Sequence, residues 1–421
     1  MKFIPQIHSS DRKIILILFI IGLLVRTVFA VWTYSSYGTA GWSDDREYIF
    51  IGQQFAEGNW DPITNDNIPF LRVAPFIPAV VAVMVLLFGD PVFPMFIYHI
   101  LIGALLVPVL YLLGKKVFNR KVGLLMAVWG CFFFESLKYT PHVLKEPTLF
   151  LIIPLTLLLL VKAIQDKQKL KYIILSALSY IILIHTDERF VLYLPLLGLL
   201  FFLDFPKELK VRLKYYVIWT SLVLLMMVPW TIRNYYVFDQ LVVLAPRTTT
   251  FTSIVWGDDV SKLYFTDDSL TQTRMQIRYE RAPELEAEFG KKPIQYGKYE
   301  AKVRDFWNFW RPSYFQFTYI SDGFRPQQWS LRHNLLSMAF YGIFLPFYIA
   351  GIFMLYRRKL FIPLFIAAIP FIHSLVHAYM TWAIERYRSP ITFIVVMIGI
   401  WAALEIYEWF RKRFLQKQKT V

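Results

Sequence analysis

Residues 72–91 read RVAPFIPAVVAVMVLLFGDP, and whether this stretch crosses a membrane fixes the arrangement of everything around it. The apolar run Phe70–Phe88 is long enough to enter hydrocarbon. It also carries Arg72, Pro75 and Pro78, and Gly89-Asp90-Pro91 follows at once. A proline inside a helix removes a hydrogen-bond donor and crowds the preceding turn. The stretch is therefore expected to lie at the membrane surface or to re-enter it. The alternative is a spanning helix with a prolyl kink.

The rest of the chain makes that choice matter. Of 421 residues, 57% are hydrophobic and 18% aromatic, above the roughly 45–50% apolar share of soluble domains. Ten further apolar runs stand out: Ile14–Tyr34, Phe93–Leu113, Val122–Leu137, Pro147–Val161, Tyr172–Ile184, Phe190–Leu203, Tyr215–Trp230, Leu335–Tyr356, Leu360–Thr381 and Pro390–Phe410. A helix needs about 20 apolar residues to cross a bilayer. No small-residue cleavage site clearly follows the first run, so it reads as a retained helix rather than a signal peptide.

The net charge of +15 does not point to nucleic acid, because the basic residues fall in short clusters between apolar runs. These are Lys2/Arg12/Lys13, KKVFNRK at 115–121, Lys162 to Lys171, Lys207 to Lys214, RRK at 357–359, and Arg411 onward. About half of the 45 Lys and Arg lie there, and cytoplasmic loops carry such an excess. Placing all clusters on one side requires that one of the first two runs after residue 35 does not cross. Demoting Phe70–Phe88 leaves ten spanning helices. Residues 35–93, 138–146, 185–189, 236–333 and 382–389 then face the other side.

The reading is an all-α polytopic membrane protein in three parts. Residues 1–235 form an N-terminal transmembrane module with a juxtamembrane loop at 35–93. Residues 236–333 form an external region, with short helices expected in RAPELEAEFGKK and YGKYEAKVRDFWNFW. Residues 334–421 form C-terminal transmembrane helices and a basic tail. The single cysteine, Cys131, excludes a disulfide framework and a cysteine metal cluster. No Asn-x-Ser/Thr sequon occurs, which favours a bacterial origin. No internal repeat is visible.

Several polar groups fall on the non-cytoplasmic side of this layout. In GWSDDREYIFIGQQFAEGNWDP (41–62), Asp44 and Asp45 start a segment in which Asp44, Tyr48 and Phe55 share one helical face. Carboxylates suit a helix N-terminus whatever their role. In YTPHVLKEPTLFLIIP (139–154), Lys145 and Glu146 precede an apolar run; an initial-turn Glu with a snorkelling Lys would look the same. In LIHTDERF (183–190), His185, Asp187 and Glu188 are conceivable metal ligands, but a solvated turn with a local ion pair with Arg189 is the simpler reading. Arg72, Arg233, Arg386 and Arg388 gather on this side too. They are either membrane anchors or a phosphate clamp, for which the guanidinium fork is suited. Arg26 lies well inside the first apolar run, lining a polar crevice or pairing with an acid.

Taken in order, these motifs resemble the GT-C superfamily of glycosyltransferases, in particular the protein mannosyltransferase-like and aminoarabinose–lipid A transferase-like branch, which is bacterial glycosyltransferase family 39-like. Asp44, Asp45, Tyr48, Gly52, Phe55 and Gly58 resemble the first external loop of those enzymes. RVAPFIPAVVAVMVLLFG resembles the Pro-containing juxtamembrane helix that follows. GALLVPVLYLLGKKVFNRKVGLLMAV resembles the next helix pair, LKEPTLFLIIPL the second acidic motif, and PWTIRNYYVF and ERYRSPITF late motifs of bacterial members. The chain departs from several relatives in having Glu146 for Asp and Gly52 for Ala.

The resemblance implies a GT-C fold of about ten transmembrane helices in the bacterial plasma membrane. It implies a polyprenyl-phosphate-sugar-dependent glycosyltransferase that inverts the sugar, with its active site on the external, periplasmic side. The donor is a polyprenyl-phosphate-linked sugar, and the acceptor a lipid, a glycan or a protein. It implies Asp44 as base, with Asp45 and Glu146 as the other catalytic carboxylates, and Arg72, Lys145, Arg233, Arg386 and Arg388 as donor-binding cations. No cofactor is expected, and nothing in the sequence supports a metal. A transporter or flippase of a lipid-linked sugar is the alternative, since it would want the same arginines and the same lipid-accessible crevice.

Overall fold

The computed structural model describes residues 9–37, 43–60, 74–166, 169–203, 208–238, 243–244, 303, 306–312, 331–380 and 385–419. Among the described residues there is no strand. Most of the 236–333 region, including RAPELEAEFGKK, lies outside them. So do Arg72 and the side chain of Asp44.

Helix α1 (Ser9–Tyr37) runs the length of the bundle and is followed by α2 (Ser43–Ala56) and α3 (Phe76–Phe88), which pack on one another. The run that decides the topology is a helix of thirteen residues. At 1.5 Å per residue it is about 20 Å long, against about 30 Å of hydrocarbon. It stops at Gly89, whose φ of 79° is left-handed and whose N–H reaches back to the Val85 carbonyl. The helix α4 (Val92–Val117) starts immediately after Pro91, where a proline has no donor to waste.

Helix α4 packs against α1, against α5 (Arg120–Phe132) and against α7 (Glu146–Gln165). Asn119 caps α5 by accepting from the Val122 N–H at 3.1 Å. Two expected helices are corrected here. The run Val122–Leu137 is broken at Phe133 (φ −56°, ψ 106°) into α5 and a short α6 (Phe134–Tyr139). The run Phe190–Leu203 is a mixture of 3₁₀ turns around α9 (Leu194–Gly198) rather than one helix. Its start is tied by the Tyr180 hydroxyl to the Phe190 carbonyl at 2.5 Å.

The remaining elements are α8 (Lys169–Thr186), α10 (Leu209–Phe238), α11 (Leu331–Phe340), α12 (Leu345–Arg357), α13 (Phe361–Met380), α14 (Glu385–Arg388) and α15 (Thr392–Lys419). Seven segments among the described residues are long and apolar enough to cross a membrane, from Asp11–Ser35 to Arg386–Arg413. The protein is a multi-pass membrane protein. Its seven such segments fall short of the ten expected, because the two broken runs and the short α8 do not reach that length. The interior is filled mainly by α7 and α15, while α1 and α10 turn most of their apolar surface outward, as lipid-facing helices do.

Alternation of direction sorts the charges into two ends. At one end Asp11 meets Lys115 at 2.6 Å, Lys116 meets Asp166, and Arg358 meets Glu405 at 2.7 Å. The N-termini of α2, α7 and α14 lie at the other.

Arg26 is fully buried in α1. It reaches no acid. Its guanidinium donates to the Gly22 carbonyl at 3.2 Å, to the Gly130 carbonyl at 3.1 Å, and to the Ser136 hydroxyl at 3.3 Å. Gly103 on α4 makes room, because a Cβ there would overlap Arg26 Nε. The Gly130 carbonyl lies in the last turn of α5, close to the break at Phe133. Such carbonyls lose their helical partners and have no water inside a bilayer.

Candidate active site

Helix α2 presents Asp45 to the segment between α6 and α7. One carboxylate oxygen lies 3.6 Å from His142 Nδ1. The other is buried and, among the described residues, has no hydrogen-bond partner, an arrangement that folded proteins rarely leave without a reason. Asp44 precedes it in the same helical turn.

Four residues after His142, Glu146 opens α7, with Pro147 in the first turn. Its carboxylate is buried and accepts from Arg386 through Nε at 2.5 Å and Nη2 at 3.3 Å. The pair joins residues 240 positions apart, on α7 and α14. It is bidentate, the geometry in which a guanidinium and a carboxylate hold each other most strongly.

The adjacent Lys145 is also buried and meets Asp187 at 2.7 Å. Asp187 accepts in addition from Arg189, through Nε at 2.7 Å and through Nη2. Burial alone would push the Asp187 carboxyl up, but the Arg189 and Lys145 charges hold it well below the usual carboxylate range. Burial would likewise lower Arg189, yet the Asp187 charge raises it above its ordinary value. Arg189 lies 4.2 Å over the Tyr387 ring and 3.4 Å from His377 Nδ1. The turn read as solvated is thus interior, with Asp187, Glu188 and Arg189 all buried. The metal reading of the same turn finds Asp187 occupied by two cations, and His185 bonded through Nδ1 to the Ile181 carbonyl at 2.9 Å. Among the described residues no group of three or more His, Cys, Asp or Glu is placed to hold a metal ion.

The other arginines divide. Arg388 is buried, donates to the Phe309 and Arg311 carbonyls at 2.9 and 2.6 Å, and lies 4.0 Å over Tyr341. It fastens the end of the 306–312 segment. Arg233 is half-exposed at the end of α10, donating to the Trp60 carbonyl at 2.9 Å and lying 4.8 Å over Trp230. The structure therefore brings Asp45, Lys145, Glu146 and Arg386 to one end of the bundle around 142–146. Arg233 borders that end beside α2. His142, His373 and His377 were not singled out from sequence, and Asp187 and Arg189 were read there only as a conceivable metal ligand and the partner of a local ion pair. One signal was available: His185, Asp187, Glu188 and Arg189 crowd four titratable groups into five residues between two apolar runs. His373 and His377, one helical turn apart in an apolar run, are a second, since polar groups in such a run usually have a function.

A family model described as dolichyl-phosphate-mannose-protein mannosyltransferase matches residues 72–232, fewer than half of the chain. That region spans α3 to α10 and includes Lys145, Glu146 and Asp187. No protein of curated function matches. Among solved structures, the oligosaccharyltransferase of Archaeoglobus fulgidus in its apo form superposes with a TM-score of 0.57 at 12% identity, covering 98% of this chain and 52% of that one. The chain has a GT-C fold. The same archaeal oligosaccharyltransferase, AglB, in complex with an inhibitory peptide and a dolichol-phosphate, superposes with a TM-score of 0.59 at 12% identity, covering 96% of this chain and 52% of that one. A form tethered to an acceptor peptide gives 0.58, also at 12% identity, with 94% and 50% covered. The chain spans about half the length of the solved structures it matches. Within this GT-C fold the 142–146 segment, α2 and α14 meet at one end of the bundle.

Proposed function

We propose that the protein is a glycosyltransferase that moves a sugar from a polyprenyl-phosphate donor to an acceptor hydroxyl on the non-cytoplasmic face of a bacterial plasma membrane. The observation that carries the reading is the meeting of Glu146 with Arg386 at the end of the bundle where Asp45 faces His142. The mannosyltransferase family match and the dolichol-phosphate complex of the AglB neighbour support the same class of donor.

The chemistry follows from what such a transfer needs. An acceptor O–H is a poor nucleophile until a carboxylate within hydrogen-bond reach takes its proton. Asp44 takes this role by its place in the motif, with Asp45 beside it. The acceptor oxygen bonds to the anomeric carbon as the bond from that carbon to the phosphate oxygen breaks. Direct attack inverts the sugar, through an oxocarbenium-like transition state. The departing phosphate is already a weak base and needs cations rather than a general acid. Arg72, Lys145, Arg233, Arg386 and Arg388 are the candidate cations, and Arg386 stands nearest the carboxylates, held by Glu146.

The test uses purified protein in lipid nanodiscs with a panel of polyprenyl-phosphate sugars, following release of polyprenyl phosphate by mass spectrometry. The wild type should consume one of them, and Asp44→Asn should lower turnover at least about 10²-fold, the low end of what a general base contributes. Near wild-type turnover by a folded Asp44→Asn protein overturns the base assignment. A wild type that moves donor between leaflets while consuming none would make it a flippase.

A further inference from the structure

Asp187 stands at the centre of a bridge that reaches both members of the Glu146–Arg386 pair through their chain neighbours. On one side it binds Lys145, the residue immediately before Glu146, at 2.7 Å. On the other it binds Arg189 at 2.7 Å, and Arg189 lies over the ring of Tyr387, the residue immediately after Arg386. The groups facing this bridge come from every element packed on it. His377 of α13 lies 3.4 Å from Arg189, and His373 one turn earlier receives the Tyr193 hydroxyl contact at 2.6 Å and lies 3.0 Å from the Tyr387 carbonyl.

We infer that Asp187 is a positioning residue: it fixes the distance and orientation between Glu146 and Arg386 without touching the sugar donor. Two long cationic side chains, each with several rotatable bonds, are held by one short buried carboxylate. Lys145 cannot swing without stripping Asp187 of one of its two cations in a dry interior, and neither can Arg189. The backbones that carry Glu146 and Arg386 are thereby locked to a common centre. An active-site contact displaced by about 1 Å loses on the order of 10² in rate, so a group that only sets this spacing still governs turnover. The inference rests on the proposed transfer for its catalytic meaning, whereas the spacing of the pair can be read without it.

The experiment uses the full-length protein in nanodiscs and compares wild type with Asp187→Asn. The variant should lose at least tenfold in kcat and keep the donor KM within twofold. Unchanged kcat overturns the inference, and so does a raised KM with kcat kept, which would place Asp187 on the donor itself. Should Asp187→Asn not fold, the double variant Arg189→Met/Asp187→Asn removes one charge of each sign, keeps the net charge of the cluster, and faces the same criteria. Independently of turnover, a double-mutant cycle of Glu146→Gln and Arg386→Met, read by denaturation in mixed micelles, gives the coupling of the pair. In the Asp187→Asn background that coupling should fall to less than half of its wild-type value, and an undiminished coupling overturns the inference. A wild type inactive on every donor, with the coupling lost as expected, would remove the proposed transfer and leave the positioning intact.

Discussion

The two ends of the bundle use charge in opposite ways. At the end carrying KKVFNRK and RRK, two of the ion pairs sit in or near water, the side chains of Lys121 and Glu408 being 73% and 45% exposed and those of Arg358 and Glu405 48% and 27%, while the buried Asp11 keeps a half-buried partner in Lys115. At the other end, the side chains of Lys145, Asp187, Arg189 and Glu146 are each at most 9% exposed. An exposed pair contributes little and is screened by salt. A buried one costs several kcal/mol per ion in lost hydration and persists only with near-complete pairing. The basic end is thus arranged to set orientation in the membrane, and the acidic end to hold side chains in fixed places.

The contrast can be broken most sharply at Arg386. Arg386→Met leaves Glu146 buried and unpaired, which should destabilise the protein by about 3–5 kcal/mol. Denaturant titration in mixed micelles measures it, and a loss below about 1 kcal/mol would mean that water reaches Glu146. A smaller effect is expected from acid. Asp187 is held below its ordinary value of 3.8, so its stabilising contribution is complete above that value and is lost as pH falls toward the depressed folded one. Wild type should therefore lose more stability than Asp187→Asn between about pH 4 and pH 2. Gly103→Ala tests the packing between the two ends, since its added carbon overlaps Arg26. It should cost about 1–3 kcal/mol, and Arg26→Met in the same chain should recover part of that. Smallest of all, Lys121→Met should change stability by less than about 1 kcal/mol and make it less sensitive to salt.

What the sequence revealed follows the same division. The apolar runs, the basic clusters and the proline-bearing stretch at 72–91 are local features, and each announced itself through composition. Helix α3 ends at Gly89 for reasons written in three adjacent residues. The break at Phe133 was not legible, because no proline lies between Val122 and Leu137 and the glycines at 123 and 130 sit inside the helix rather than at the break. The carbonyl of Gly130 there is satisfied by Arg26, 104 positions away. The turn at 185–189 was misread as solvated because its counter-charge, Lys145, is 42 residues upstream of Asp187. Glu146 and Arg386 were each visible as charged residues beside apolar runs, but only the fold pairs one with the other.

The fit of Arg26 against Gly103 also sets an order on history. Position 103 gains a carbon at least cost after the side chain at 26 has shortened, so the two sites drift cheaply in one sequence of steps and at a penalty in the reverse. Homologous chains should therefore include arginine with glycine, and a smaller residue with either glycine or alanine, while the combination of arginine with anything bulkier than glycine should be rare.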